Sequence, residues 1–444
     1  MKTLKLTTLI LLSTFVASAG FAQVASYSLV AHQSTKTMQD GAVVNMWGYY
    51  DATGAAPASW TTGPELHVPA TASTLEVTLT NNLSEPTSLF IPGLAPEVIA
   101  GVAGEPVYST SGSGIGRVHS FTHETAPGAT ETYRWHNVTP GTYLYQSGTN
   151  PSKQLQMGLY GAMYHDANDV NPGTGSAVDG AEIYPGHTYH QQVALLFSEV
   201  DPVINAAISA DDYGFGNTVT SSIGRTPKYY LINGEEYDPL NPTAIGTEAG
   251  PLVLLRFLNA GYQTYVPVIQ DLYMNIIGDD GNELPHPRVQ YSIEVPAGKT
   301  HDAIVAIPCE LADRNVVLHD RRGHIRNQIA DDPGTTSVVE TEEADGGMTV
   351  TFQIPIDTAC DNCADLSNPT QTDVDADGFG NLCDADLSGD LMTNFGDLGL
   401  FIDAFVNQSN PAADFNSDGV VNFGDLGVMA TGFGSPPGPS LAVY

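Results

Sequence analysis

The stretch TLEVTLTNNLSEPTSLFIPG, Thr74–Gly93, alternates Leu75, Val77 and Leu79 with Glu76, Thr78 and Thr80, then breaks at Asn81-Asn82 and Pro86. A period of two ending in turn residues marks a half-buried strand, not a helix. The same pattern continues outward. TYRWHNVTPGTYLYQS, 132–147, reads as two aromatic-rich strands about the Pro140-Gly141 turn. Further segments follow in KYYLINGEEY, PLVLLRFLNAG, LYMNIIGDDGNEL, YSIEVPAGKTHDAIVAI and GGMTVTFQIPI. From about Val24 to Asp357 the chain therefore predicts mainly β structure, as antiparallel Greek-key sandwiches or barrels.

Length and charge bound the rest. The chain has 444 residues, room for two or three cores. Lys2 and Lys5, the apolar run Leu6–Val16 and small residues near Ala17–Ala22 predict a signal peptide over 1–22, hence export. No later stretch is long and apolar enough to predict a membrane span. A net charge of −35 argues against nucleic acid as a partner. No Lys or Arg follows Arg326, and Asp becomes dense after Asp357. The expected division is a sandwich over 23–168, a second over 180–357, an Asp-rich segment over 358–385, a repeat over 386–436 and a tail over 437–444. DVNPGTGSAVDG, 169–180, reads as the linker between sandwiches. Of the four cysteines, Cys363 and Cys383 flank one Asp-rich loop and form the preferred pair. Cys309 and Cys360 are then left to pair, although sequence alone leaves the connectivity open.

LEVTLTNNLSEPTSLFIPG together with GTYLYQSGTNPSKQLQMGLYGAMYH, 141–165, resembles the two ligand segments of the multicopper oxidase family. LLRFLNAG and YMNIIGDDGNEL resemble a second domain of that family. The resemblance spans about 60–310 and implies two cupredoxin-like sandwiches. A third, copper-rich domain is not expected, because the Asp-rich segment begins where it would start. Family copper sites are built from His-x-His pairs and a His-Cys-His string, since imidazole and thiolate suit copper. Here the first pair falls on Phe90 and Pro92 and the second on Gln146 and Gly148. NAGYQTYVPVIQDLYM lacks a histidine pair, and no His-Cys-His string occurs. Copper is accordingly not expected, and no catalytic residue is assigned. Two histidine pairs outside the family pattern, His119/His123 and His187/His190, keep a copper-dependent oxidase or copper carrier as the alternative. Strand residues four apart lie roughly 13 Å from each other at about 3.3 Å rise, so a turn would have to bring such a pair together. His165, His286, His301, His319 and His324 carry less signal.

The string NFGDLG occurs at Asn394–Gly399 and again at Asn422–Gly427. Counting back from the second copy places Asp414, Asn416, Asp418, Gly419, Val420, Asn422 and Asp425 at positions 1, 3, 5, 6, 7, 9 and 12 of a loop. That spacing lets one turn supply the oxygens a calcium ion wants, with the Val420 carbonyl at position 7. The first copy sets Asp386, Ser388, Asp390, Met392, Asn394 and Asp397 in the same register. Leu391 there takes the glycine position, predicting a strained loop. Apolar residues after each loop (Leu398, Phe401, Phe405; Leu426, Met429, Phe433) predict two short helices packed on each other.

The repeat resembles a dockerin module, with Asp at position 12 in both copies. This implies docking onto a cohesin-like or other extracellular partner. The residues next to the helix starts are Phe395-Gly396 and Phe423-Gly424, where well-studied dockerins carry small hydroxylated residues. Upstream, CDNCADLSNPTQTDVDADGFGNLCDAD is similar to a thrombospondin type 3 repeat. Asp373, Asp375, Asp377, Phe379 and Asp384 there fit positions 1, 3, 5, 7 and 12. About three calcium sites are expected. The leading functional reading is a secreted binding or structural protein. A polysaccharide-related accessory role is a further alternative, resting on the dockerin resemblance alone.

Overall fold

The computed structural model describes residues 23–99, 103–110, 115–169, 176–238, 243–244, 252–308, 311, 314–324, 347–354, 363, 372–375, 377 and 379–438. The expected signal peptide and the Cys309–Cys360 pair lie outside the described residues.

The first sandwich opens with β1 (Gln23–Thr37), β2 (Val43–Asp51), β3 (Gly63–Val68) and β4 (Ala72–Asn81). It continues through β5 (Val107–Tyr108), β6 (Val118–Ser120), β7 (Thr130–His136), β8 (Gly141–Gln146), helix α1 (Pro151–Met157) and β9 (Tyr160–His165). One layer has the order β2-β1-β4-β7 and the other β3-β9-β8. Leu75, Val77 and Leu79 are fully buried against Leu66, Val68, Tyr145 and Met163, as their alternation predicts.

The second sandwich contains β10 (Ser176–Tyr184), β11 (His187–Val200), helix α2 (Pro202–Ser209), β12 (Tyr229–Ile232), β13 (Thr243–Ala244) and β14 (Leu252–Asn259). Then come β15 (Pro267–Ile269), β16 (Met274–Asp279), β17 (Asn282–Gln290), β18 (Thr300–Ala306), β19 (Asn315–Asp320) and β20 (Thr349–Gln353). Its layers run β10-β11-β14-β18-β16-β17, with β12 on β11, and β13-β20-β19-β15. Strand β10 begins at Ser176, inside the stretch read as linker. Two short helices, α3 (Phe395–Asn407) and α4 (Phe423–Gly432), follow at the C-terminal end.

The sheets are mixed, not antiparallel throughout: β1 pairs with β4, β3 with β9, and β11 with β14 in parallel. Alternation reports which face a residue takes; it says nothing about the direction of the neighbouring strand. Both early helices also escaped the sequence reading, although Asn150-Pro151 and Asp201-Pro202 carry the expected start signal of proline at the first helical position.

The outer face of β8 and β9 packs on the second sandwich. Leu144, Tyr160 and Ala162 join Leu196, Val200, Leu231 and Leu258 in one apolar cluster. Beside it sits the fully buried Arg256 of β14. Its Nη2 donates to Asp166 Oδ1 at 2.6 Å, its Nη1 to Thr142 Oγ1 at 3.0 Å and its Nε to Gln192 Oε1 at 2.8 Å. Thr142 in turn donates to Asp302, which also accepts from Tyr184 at 2.8 Å. Burial pushes the Asp302 carboxyl above its ordinary range, and the Arg256 charge opposes that rise. Removing one member of such a buried set strands the others. Arg256→Met is expected to cost about 3–5 kcal/mol, read as a lower urea midpoint, because two buried carboxylates lose their counter-charge. An unchanged midpoint would mean the network adds nothing to the contact between sandwiches.

Candidate functional site

Of the four positions that the sequence resemblance aligns with copper ligands, Phe90, Gln146 and Gly148 lie together in the first sandwich. Phe90 and Gln146 face each other across strands: Phe90 N donates to Gln146 O at 2.8 Å, and Gln146 N to Phe90 O at 2.9 Å. The Phe90 ring packs on Phe121 with centroids 5.2 Å apart. Gly148 lies against both, since a Cβ placed there would meet Phe90 Cβ and Ser88 Oγ at 3.1 Å. Any larger side chain at 148 has to displace one of them. Pro92 has no donor atom to offer beyond its carbonyl.

Around these positions lies a buried hydroxyl network that sequence reasoning missed. Ser88 Oγ and Ser120 Oγ are 3.1 Å apart, and Thr149 Oγ1 donates to Ser88 at 2.9 Å. Thr87 and Ser147 both donate to Gln154 Oε1, at 2.8 and 2.6 Å, and the Gln154 amide donates to Glu85 Oε1 at 2.9 Å. These residues are dispersed over four segments, and a lone hydroxyl carries no sequence signal of its own. Chemically the set is hydroxyls and an amide already bonded to one another, tied at its edge to the Glu85 carboxylate. It offers no imidazole and no thiolate. The Gln146 Oε1 is buried without a hydrogen-bond partner among the described residues.

Six of the other histidines make separate contacts. His119 Nε2 lies 3.5 Å from Glu124, whereas His123 accepts from Gly104 N at 2.9 Å and stacks on Tyr133. Burial lowers the His123 pKa. His187 lies 3.4 Å from Glu283, and His190 accepts from Leu252 N at 3.1 Å. His165 makes a 2.8 Å bond to Val68 O, and His324 one of 2.5 Å to Asp320.

The C-terminal loops show how one string serves two ends. Asn394 caps α3 by accepting from Gly396 N at 2.7 Å, while Asp397 Oδ2 accepts from Asn394 N at 2.7 Å. Asn422 and Asp425 do the same for α4, at 2.6 and 2.8 Å. Loop positions 9 and 12 are thus also the two halves of a capping box. A Cβ at 424 would lie 2.8 Å from Asn416 Nδ2, the mobile end of a loop side chain. This local signal was present in NFGDLG beside the ligand spacing.

Asp386 Oδ1 accepts from Ser388, Gly389 and Asp390 N–H groups, the nearest at 2.9 Å, folding the loop around its own first carboxylate. Oxygens of Asp386, Asp390 and Asp397 lie within 4.8 Å of one another, as do those of Asp373, Asp375 and Asp377. In the second loop Asp414 accepts from Asp418 N and Gly419 N, and Asp425 from Asn416 N. Ser388, Met392, Asn416 and Val420 sit between these carboxylates, and Phe379 N donates to Asp377. Buried Asp384, crowded by Asp377, Asp375 and Asp386, has its carboxyl pushed up to about 7, chiefly by desolvation. Such a donor set, all hard oxygen and mutually repelling, fits a divalent cation of the calcium type. Leu391 adopts φ 65°, matching Gly419 at 88° in the other copy, so the strained backbone expected there is present. Cys363 and Cys383 are disulfide-bonded.

Helices α3 and α4 bury Phe401, Ala404, Phe415 and Met429 together. Two edge-to-face pairs, Phe395 on Phe433 and Phe423 on Phe405, repeat the internal symmetry at 5.1 and 5.2 Å. Phe395 and Phe423 nevertheless remain 80% and 77% exposed.

Comparison with known proteins bears on the sandwiches. Residues 206–343 match the multicopper oxidase family model. The structure is similar to the blue copper oxidase from Nitrosomonas europaea, with a TM-score of 0.52 and 17% identity over 75% of this chain and 86% of that one. It is similar also to the multicopper oxidase mgLAC, with a TM-score of 0.51 and 16% identity over 75% and 86%. Likeness at these identities shows the fold: mainly β, with cupredoxin-like sandwiches of the multicopper oxidase type. No curated protein matches the chain.

A left-handed leucine costs about 1–2 kcal/mol that glycine avoids, less roughly 0.5–1 kcal/mol for glycine's extra freedom when unfolded. Leu391→Gly is therefore expected to tighten calcium binding at the first loop about threefold, and Gly419→Leu to weaken the second by at least as much. Calcium titration calorimetry reads both. No change in either variant would separate loop geometry from the cation.

Proposed function

We propose that the chain is a secreted, calcium-binding protein of multicopper oxidase-like fold that has lost the copper ligands of its first sandwich. In this reading it works as a binding or structural protein, held in place through its C-terminal module. The observation that carries the reading is the packing of Phe90, Phe121, Gln146 and Gly148. Where the family places imidazoles, this chain has an aromatic ring, a proline, an amide and a glycine whose Cβ position would crowd Phe90 and Ser88 at 3.1 Å. In the histidine alternative, His119 and His123 are each engaged with a different partner, Glu124 and Gly104.

Calcium, when bound, supplies positive charge to carboxylates that otherwise repel. Asp373, Asp375, Asp377 and Asp384 would hold one ion. Asp386, Ser388, Asp390 and Asp397, with the Met392 carbonyl, would hold the second. Asp414, Asn416, Asp418 and Asp425, with the Val420 carbonyl, would hold the third. The chain itself closes each loop through position 1 and starts each helix through positions 9 and 12. The exposed Phe395 and Phe423 are the proposed docking contacts for a cohesin-like or other extracellular partner. Their symmetric setting offers such a partner two equivalent orientations. No helix among the described residues is long and apolar enough to cross a membrane.

Metal analysis and hydrogen exchange together test this. About three calcium ions per chain are expected in millimolar calcium, the range typical of extracellular modules. Chelation should then abolish exchange protection in α3 and α4 while β1–β20 keep theirs. Helices that stay protected after chelation would remove calcium from the account.

A further inference from the structure

The second sandwich carries a cavity that neither the copper positions nor the calcium loops touch. Its volume is about 590 Å³, and its lining includes His301, Arg288, Arg321, Tyr273, Tyr291 and Glu294. His301, in β18, is only 5% exposed, and neither ring nitrogen has a hydrogen-bond partner among the described residues. The closest acid, Asp279 Oδ1, is 3.9 Å away, beyond hydrogen-bond reach. Leaving a buried polar group unmet is costly, so an unpartnered imidazole lining a cavity is a group awaiting a ligand. Burial also lowers its pKa, which keeps one donor and one acceptor on the ring.

The rim selects the ligand's charge. Arg288 and Arg321 stand on this cavity in a chain of net charge −35 that has only 15 lysines and arginines. Guanidinium groups bind carboxylates through paired parallel hydrogen bonds, which a point charge cannot do. Tyr273 and Tyr291 are exposed, at 66% and 49%, and give the same depression two aromatic walls. Glu294 on the lining disfavours a second negative charge.

We propose that this cavity binds a small aromatic monocarboxylate, its carboxylate on Arg288 and Arg321, its ring between the tyrosines and its polar substituent toward His301. The site stands independently of the copper and calcium readings, since it shares no residue with either.

Benzoate, benzamide and inorganic phosphate are suitable probes, titrated into the full-length calcium-loaded protein and followed by calorimetry and the His301 ring proton resonance. Benzoate should bind saturably and shift that resonance. Benzamide, its neutral counterpart, and phosphate should each bind at least about tenfold more weakly, the loss of one charge-assisted contact. The exposed pair Arg288→Gln and Arg321→Gln should lose about the same factor with the circular dichroism unchanged. Equal affinity for benzoate and benzamide would overturn the proposal, as would phosphate binding as tightly as benzoate, or an unmoved His301 resonance at benzoate saturation.

Discussion

The pair of backbone hydrogen bonds joining Phe90 to Gln146 governs what the first sandwich can do. It holds two neighbouring segments face to face at the positions that the sequence resemblance aligns with copper ligands. Once that pairing is made, the chemistry depends only on which side chains project from it. Here they are an aromatic ring tilted against Phe121 and a neutral amide, with Gly148 close against Phe90. The hydroxyls of Ser88, Ser120 and Thr149 bond one another, and that of Ser147 bonds Gln154. The strand pairing here is made by backbone groups, so it does not depend on which side chains these positions carry.

The same separation of fold from chemistry is visible between the sandwiches. Arg256, Asp166 and Asp302 tie the two β bodies through a charged set from which water is excluded. Such sets contribute less than apolar packing of equal volume but penalise any arrangement that leaves one charge alone. The C-terminal module follows the opposite logic. Its apolar core is small, and the loop carboxylates are asked to do both the folding and the capping.

Strand identity was legible where one face is buried and the other wet. Leu75, Val77 and Leu79 announced themselves by alternation, and GTYLYQ by its turn. The neighbours of each strand were not legible, because a parallel partner such as β4 for β1 is chosen by long-range packing. The Arg256 network was hidden for the same reason: its acids lie 90 and 46 positions away in sequence, at 166 and 302. Short-range features fared better. The ligand spacing, the duplicated phenylalanines and the strain at Leu391 all depend on residues within one loop. The capping box in NFGDLG was equally local, yet the calcium reading of the same letters concealed it. His301 gave little signal, since an isolated histidine in a strand reveals neither its burial nor its missing partner.

Equilibrium dialysis of the folded, calcium-loaded protein against copper, followed by metal analysis and electron paramagnetic resonance, tests the central claim most directly. The expected result is a colourless protein with no stoichiometric copper and no protein-bound copper signal. One or more tightly held coppers per chain, above all with a blue thiolate-type spectrum, would contradict it.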